Sequence, residues 1–140
     1  DYMIQSGNPT QWGHFYPAAE LIRADIRQHA CKVIYDEQGI HGVFALFEGT
    51  EPTYEHIENG SWLNDTPYVT IHRIAGDGQT HGLFQCAVGY CSELRKDIRI
   101  DTHADNLVMQ RLIEKRGFTK CGIIHVKDGT PRIAYQLTAR

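Results

Sequence analysis

The sequence predicts an α/β domain on a mixed sheet, and three observations carry that prediction. β-rich runs pair into hairpin patterns near both ends. Segments of helical periodicity separate the runs between them. One strand–helix–strand run in the middle has the form of a parallel crossover. The chain has 140 residues, enough for one core, so residues 1–140 are read as a single domain.

The elements follow in order. "PAAELIRADIRQ" reads as a helix: Pro17 fits its first turn, and Ala18, Leu21, Ile22 and Ile26 form one stripe. "CKVIYDEQGIHGVFALFEG" reads as a hairpin turning at "DEQG". "TEPTYEHIENGSWLND" is a long acidic connection, and connections of this length usually carry function or short structure of their own. "PYVTIHRIA" is the next strand, followed by a turn with Gly76, Gly78 and Gly82. Leu83, Phe84, Ala87, Val88, Cys91 and Leu94 then repeat at helical spacing. "DIRIDT" is a strand and "DNLVMQRLIEKRG" a helix, with Asp105 as the expected N-cap and Gly117 as the stop. "FTKCGIIHV" and "PRIAYQL" form the last hairpin, across "KDGT".

Composition narrows the function. Hydrophobic residues make up 41% and charged residues 22%, as expected of a globular domain rather than a disordered one. The net charge of −3 disfavours general nucleic-acid binding. No apolar run is long enough to span a bilayer, and the opening "DYMIQSGNPTQW" is polar without a basic start. Neither a membrane partner nor a signal peptide is expected. Cys31, Cys86, Cys91 and Cys121 show no C-x-x-C spacing and read as reduced thiols of a cytoplasmic protein. Charge is uneven: Val33 to His72 holds seven acidic residues and no Lys or Arg, while the remainder is net basic. One part suits a cation and the other an anion.

The glycine turn is the first candidate for chemistry, because a strand-to-helix turn offers backbone N–H groups and a helix dipole to an anion. A P-loop needs Gly-Lys-Ser/Thr, and this turn has Gly82-Leu83-Phe84. A dinucleotide fingerprint comes closer with Gly76-Asp77-Gly78, and Asp101 stands at a suitable distance. The third glycine is one place late, however, and no second βαβ repeat follows. No metal is expected: H-E-x-x-H is missing, and His56-Ile57-Glu58 lacks the Pro-Cys-x-x-Cys half of a deaminase site. Cys86 and Cys91 lie on an apolar helical stripe, which argues for packing, and no G-x-S-x-G elbow supports a serine nucleophile.

The stretch Gln79-Thr80-His81-Gly82-Leu83-Phe84 resembles the acyl-CoA pyrophosphate loop of the GNAT N-acetyltransferases, Q/R-x-x-G-x-G/A. Asn106 to Phe118, "NLVMQRLIEKRGF", resembles that family's N-x-x-A-x-x-L-Y-E-K-x-G-F block. The order of the two motifs and their elements is the family's, and the resemblance covers nearly the whole chain. Three departures stand out. Phe84 replaces the loop's last small residue. The link from strand to loop is short. Ile113 stands where many members carry the tyrosine that protonates the leaving thiolate.

The resemblance implies a GNAT fold: a strongly twisted mixed sheet with helices on both faces. It also implies that the family's first strand and most of its first helix are missing from this numbering. Acetyl-CoA would be the cosubstrate. Backbone groups of Ile74 and Ala75 would pair with its pantetheine arm. Successive N–H groups of Gln79, Thr80, His81, Gly82, Leu83 and Phe84 would face its pyrophosphate. Asn106 would add an amide hydrogen bond near the arm or, equally, cap its helix. The expected activity is transfer of an acetyl group to a primary amine of a small molecule or peptide. The alternatives are a non-catalytic acyl-CoA-binding module and, third, a dinucleotide-binding protein. A homodimer stays open.

The amine must be neutral to attack, so a base is needed. In a regular strand Thr70, His72 and Ile74 share one face, which in related enzymes looks toward the acceptor. His72 is the titratable one among them and is the expected base, by residue type. His103 is its rival, and Asp101 would orient either. The acidic stretch from Asp36 to Asp65 would draw in a cationic amine.

Overall fold

The computed structural model describes residues 19–94 and 97–138. The expectations about the chain's beginning and about Pro17 and Ala18 fall outside them. Helix α1 spans Ala19–Arg27, and strands β1 (Cys31–Asp36) and β2 (Gly39–Glu48) form the first hairpin. The acidic connection holds one short 3-10 turn, Pro52–Tyr54. Strand β3 (Tyr68–Gly76), helix α2 (Leu83–Leu94) and strand β4 (Asp97–Thr102) make the crossover. Helix α3 (Leu107–Lys115) and the hairpin of β5 (Thr119–His125) and β6 (Pro131–Thr138) are the last of the described elements.

The strands form one six-stranded sheet in the order β1-β2-β3-β4-β6-β5. Its parallel pair is β3 with β4, as the crossover pattern predicts. The last hairpin inserts with β6 beside β4. The main core lies between the sheet and helices α2 and α3. Phe44, Val69, Ile71, Phe84, Val88, Ile98 and Ile113 are all buried there. Of the helical stripe read from the sequence, Phe84, Ala87, Val88 and Cys91 are the buried face of α2, while Leu94 and Cys86 are exposed because they fall outside that face.

The opposite face is covered differently. The connection from Thr50 to Pro67 runs across it as a strap, burying Tyr54 and packing Trp62 against Ile124 and Ala134. The strap is tied to β5 by an isolated bridge between Glu58 and Ile123. It lies so close that a Cβ on Gly60 would stand 1.9 Å from the Cys121 carbonyl oxygen, so no larger residue fits without moving backbone.

Two irregularities shape the middle of the sheet. β3 and β4 pair only over Tyr68–Thr70 and Asp97–Arg99. Beyond that the described residues offer β3 no partner on this edge, and it runs on to Gly76 with the edge open. The second is a bulge. Val43 pairs with Ala75 and Ala45 with His72, so β3 advances three residues where β2 advances two. Arg73 takes up the extra residue at φ +52°. Left-handed backbone at a non-glycine residue costs about 1–2 kcal/mol. Here the Asp25 carboxylate of α1 grips the guanidinium at 2.8 and 2.7 Å, and the guanidinium lies over the Phe47 ring.

The bulge corrects one expectation. An extra residue reverses the alternation of a strand. Ile74 therefore packs with Val69 and Ile71 in the helix-covered core, while His72 lies against Tyr54 under the strap. Thr70, His72 and Ile74 do not share a face.

Candidate active site

A cleft of about 670 Å³ opens along the free edge of β3. Ile74, Ala75 and Gly76 form one wall, the glycine turn from Gly78 to Gln85 closes one end, and Asn106 to Met109 of α3 stand opposite. Among the described residues that line it, Lys115 is the one lysine or arginine. The apolar side chains Leu107, Val108 and Leu112 sit exposed at its rim.

The turn is shaped by a residue the sequence reading passed over. Asp77 accepts from the N–H groups of Gln79 and Thr80 at 2.9 and 2.8 Å and from the Thr80 hydroxyl at 2.7 Å. These bonds hold its carboxyl far below the usual carboxylate range. The expected row of amides from Gln79 to Phe84 therefore narrows, because Gln79 and Thr80 already donate to Asp77. Gly82, at φ +81°, accepts the first helical bond from the Cys86 N–H at 2.9 Å. The amides of Gly82, Leu83, Phe84 and Gln85 precede that bond and have no acceptor within the helix. They gather at the positive end of the α2 dipole. His81 is exposed on the same turn.

Two side chains of this stretch pack into the protein. Leu83 fills a notch whose floor is Gly76, where a Cβ would meet its Cδ1 at 2.6 Å. Phe84 also borders the cleft, but its ring is buried against Phe118, with ring centroids 6.0 Å apart. Ile113 is fully buried in the same core. Asn106, not Asp105, is the N-cap of α3: its Oδ1 accepts from the Met109 N–H at 3.1 Å while the residue lines the cleft.

A second unexpected residue braces the turn. His41 bulges from β2, opposite the Ile34/Tyr35 register shift. Its Nε2 lies 2.7 Å from Asp36 Oδ1 and its Nδ1 lies 3.0 Å from Asp77 Oδ2. The Asp36 hydrogen bond, then the Asp77 one, raises its pKa. With a carboxylate on each nitrogen, the imidazolium is the form that satisfies both.

On the strap side, His72 Nε2 stands 2.9 Å from Glu51 Oε1. Its ring is bracketed by Phe47 at 5.7 Å and Tyr54 at 6.2 Å. The Glu51 carboxyl is held down to about 2, chiefly by the His72 hydrogen bond. The stabilisation from its ionisation is therefore full above the ordinary 4.5 and is lost as pH falls toward 2. Asp101 does not orient a histidine. Its Oδ1 accepts from the buried Tyr54 hydroxyl at 2.5 Å. Burial and the Asp101 charge push that phenol well above its usual value. His103 is committed to the entry of α3: Nδ1 accepts from the Asp105 N–H at 3.0 Å, and its carbonyl accepts from Asn106 and Gln110. Within the acidic stretch, Asp36 sits at His41, Glu51 at His72, and Glu58 against β5.

Among the described residues, no group of three or more His, Cys, Asp or Glu is arranged for a metal, and no helix is long and apolar enough to cross a membrane. Among the described residues, one parallel strand pair does not supply the two βαβ halves of a dinucleotide site.

No family model and no curated protein matches the sequence. Solved structures do. An acetyltransferase of the GNAT family from Streptococcus agalactiae is 34% identical over 89% of this chain and 74% of its own, with a TM-score of 0.80. The chain belongs to the GNAT acetyltransferase family. A Listeria monocytogenes GNAT acetyltransferase at 18% identity, covering 98% of this chain and 81% of its own, shares the fold at a TM-score of 0.68. So does a Bacillus subtilis acetyltransferase solved in complex with CoA, at 18% identity, 89% and 86% coverage and a TM-score of 0.62. In this GNAT protein the open β3 edge and the amide cluster at the start of α2 border the same cleft.

Three participants were missed from sequence. Asp77 could have been found as the Asx residue of an Asp-Gly turn. Glu51-Pro52 has the cap-and-proline form of a short helical turn. His41 left no local signal, since its partners are set by the bulge and by a residue 36 positions away.

Proposed function

We propose that this protein transfers an acetyl group from acetyl-CoA to a primary amine, with His72 as the base. The observation that carries the reading is the cleft itself: an unpaired strand edge leading to a helix N-terminus. The backbone of Ile74 and Ala75 offers the edge that the amides of a pantetheine arm require. The amides of Gly82 to Gln85, with Lys115 nearby, suit a pyrophosphate. The acyl group would emerge where β3 and β4 part, within reach of the His72 side of the sheet. The amine would lose its proton to His72 as it attacks the thioester carbonyl, and the CoA thiolate would leave. We place the reaction in the cytoplasm, where CoA and the free cysteines stay reduced.

Calorimetry with coenzyme A tests the reading. Binding is expected, and Gly82→Glu is expected to weaken it about 100-fold through a strained backbone and a repelling charge. His72→Ala is expected to lower turnover about 100-fold with coenzyme A affinity unchanged. No binding by the unaltered protein refutes the reading. The buried Ile113 favours a second one, an acyl-CoA-binding module without turnover. Thiol release across a panel of primary amines separates the two.

A further inference from the structure

We propose that Glu51 is the positioning residue for His72, fixing the imidazole in the tautomer that carries its proton on Nε2 and presents the Nδ1 lone pair. The proposal deepens the reading of His72 as the base and rests on it. An ionised carboxylate can only accept, so the 2.9 Å contact requires hydrogen on Nε2. In the neutral ring Nδ1 is then the basic atom.

The contact is built from several directions. The Glu51 N–H donates to the Tyr68 hydroxyl at 2.8 Å. Its second carboxylate oxygen accepts from the Thr53 N–H at 2.9 Å and the Thr53 hydroxyl at 3.0 Å. One oxygen is thus committed to the turn and the other to His72. The same turn ends at Tyr54, whose buried ring flanks His72 and whose hydroxyl is anchored on Asp101 of β4. A surface ion pair would leave both side chains free to swing; here both side chains are four-fifths buried and the carboxylate is capping a turn. His72 comes from β3 and its orienting carboxylate from the strap, 21 residues earlier, so the strap completes the site.

Glu51→Gln is the discriminating substitution. The Thr53 N–H can only donate, so the amide oxygen must face Thr53. That turns the amide NH₂ toward His72, where the ring must accept and its proton moves to Nδ1. The cap survives while the tautomer inverts. Long-range nitrogen–proton NMR of the full chain at pH 8, with His72→Gln assigning the signal, reads this directly. The expected result is the Nε2–H form in the unaltered protein, the Nδ1–H form in Glu51→Gln, and the Nε2–H form again in Glu51→Asp. Thiol release from acetyl-CoA is then followed with a panel of an alkyl monoamine, a diamine, an amino-acid ester and a lysine peptide. Glu51→Gln is expected to lower kcat about tenfold with KM for acetyl-CoA unchanged, and Glu51→Asp to restore most of it. An Nδ1–H form in the unaltered protein, or the same tautomer in Glu51→Gln, overturns the proposal. The expected tautomers with turnover that does not respond to Glu51→Gln reduce Glu51 to a turn cap and overturn its catalytic part. Expected tautomers with no amine acetylated break the acetyl-transfer reading instead, and the catalytic part with it.

Discussion

The glycine turn lies at the free edge of β3, and the strap from Thr50 to Pro67 lies on the sheet face beside His72. The turn works with backbone. Asp77 shapes it, Gly82 lets it enter α2, and the groups it offers are amides fixed by the helix. The strap works with side chains. Glu51, Tyr54 and Trp62 each reach residues far away in sequence, at His72, at Asp101 and in the small core beside Ile124. If the proposed reaction runs between them, the difference teaches that the two parts are separable: the turn should bind without the strap, while turnover should need both.

Gly60→Val tests that separation most severely. With the Cys121 carbonyl 1.9 Å from the new Cβ, the strap cannot keep its place. A stability loss of about 4 kcal/mol is expected, read by denaturant melts. In the fraction that stays folded at low temperature, coenzyme A affinity should persist and His72-dependent turnover should vanish. Loss of both together would break the comparison.

On the turn side, pH supplies the next effect. His41 has its pKa raised by Asp36 and Asp77, so its brace is complete below the ordinary histidine value and is lost as pH rises through the raised one. Coenzyme A affinity is expected to fall about tenfold on that alkaline side, and to follow a flatter course in His41→Gln. Calorimetry from pH 6 to 9 on both proteins checks it. An equal fall in the variant would remove His41 from the binding half.

Asn106→Ala should show the smallest change. Losing the bond to the Met109 N–H costs about 1 kcal/mol of stability. A much larger loss of coenzyme A affinity would mean that Asn106 touches the ligand as well.

The same contrast decides what the sequence revealed. A turn built from backbone leaves glycines and a helix start at fixed spacing, so Gly82 and its neighbours stood out with the family's loop. The strands and the crossover were legible because their periodicity is local, and four residues of the α2 stripe are buried in the core. The strap was visible only as a long acidic connection, since nothing in "EPTY" says that His72 lies across from it. The face of β3 was misread for a related reason. A bulge of one residue at Arg73 reverses the side chains beyond it, and the Asp25 carboxylate that holds Arg73 lies 48 positions away. Asp101 was seen, but its partner proved to be Tyr54.

The short parallel pairing has a mechanical consequence. Three residue pairs join β1-β2-β3 to β4-β6-β5, so the sheet is two leaves on a short spine. The strap crosses that spine, with Glu51 on His72 of one leaf and Tyr54 on Asp101 of the other. A molecule wedged between them would add rungs where the spine has none. Amide hydrogens from Ile71 to Gly76 that face β4 should then exchange more slowly with coenzyme A present, while those paired to β2 should scarcely change.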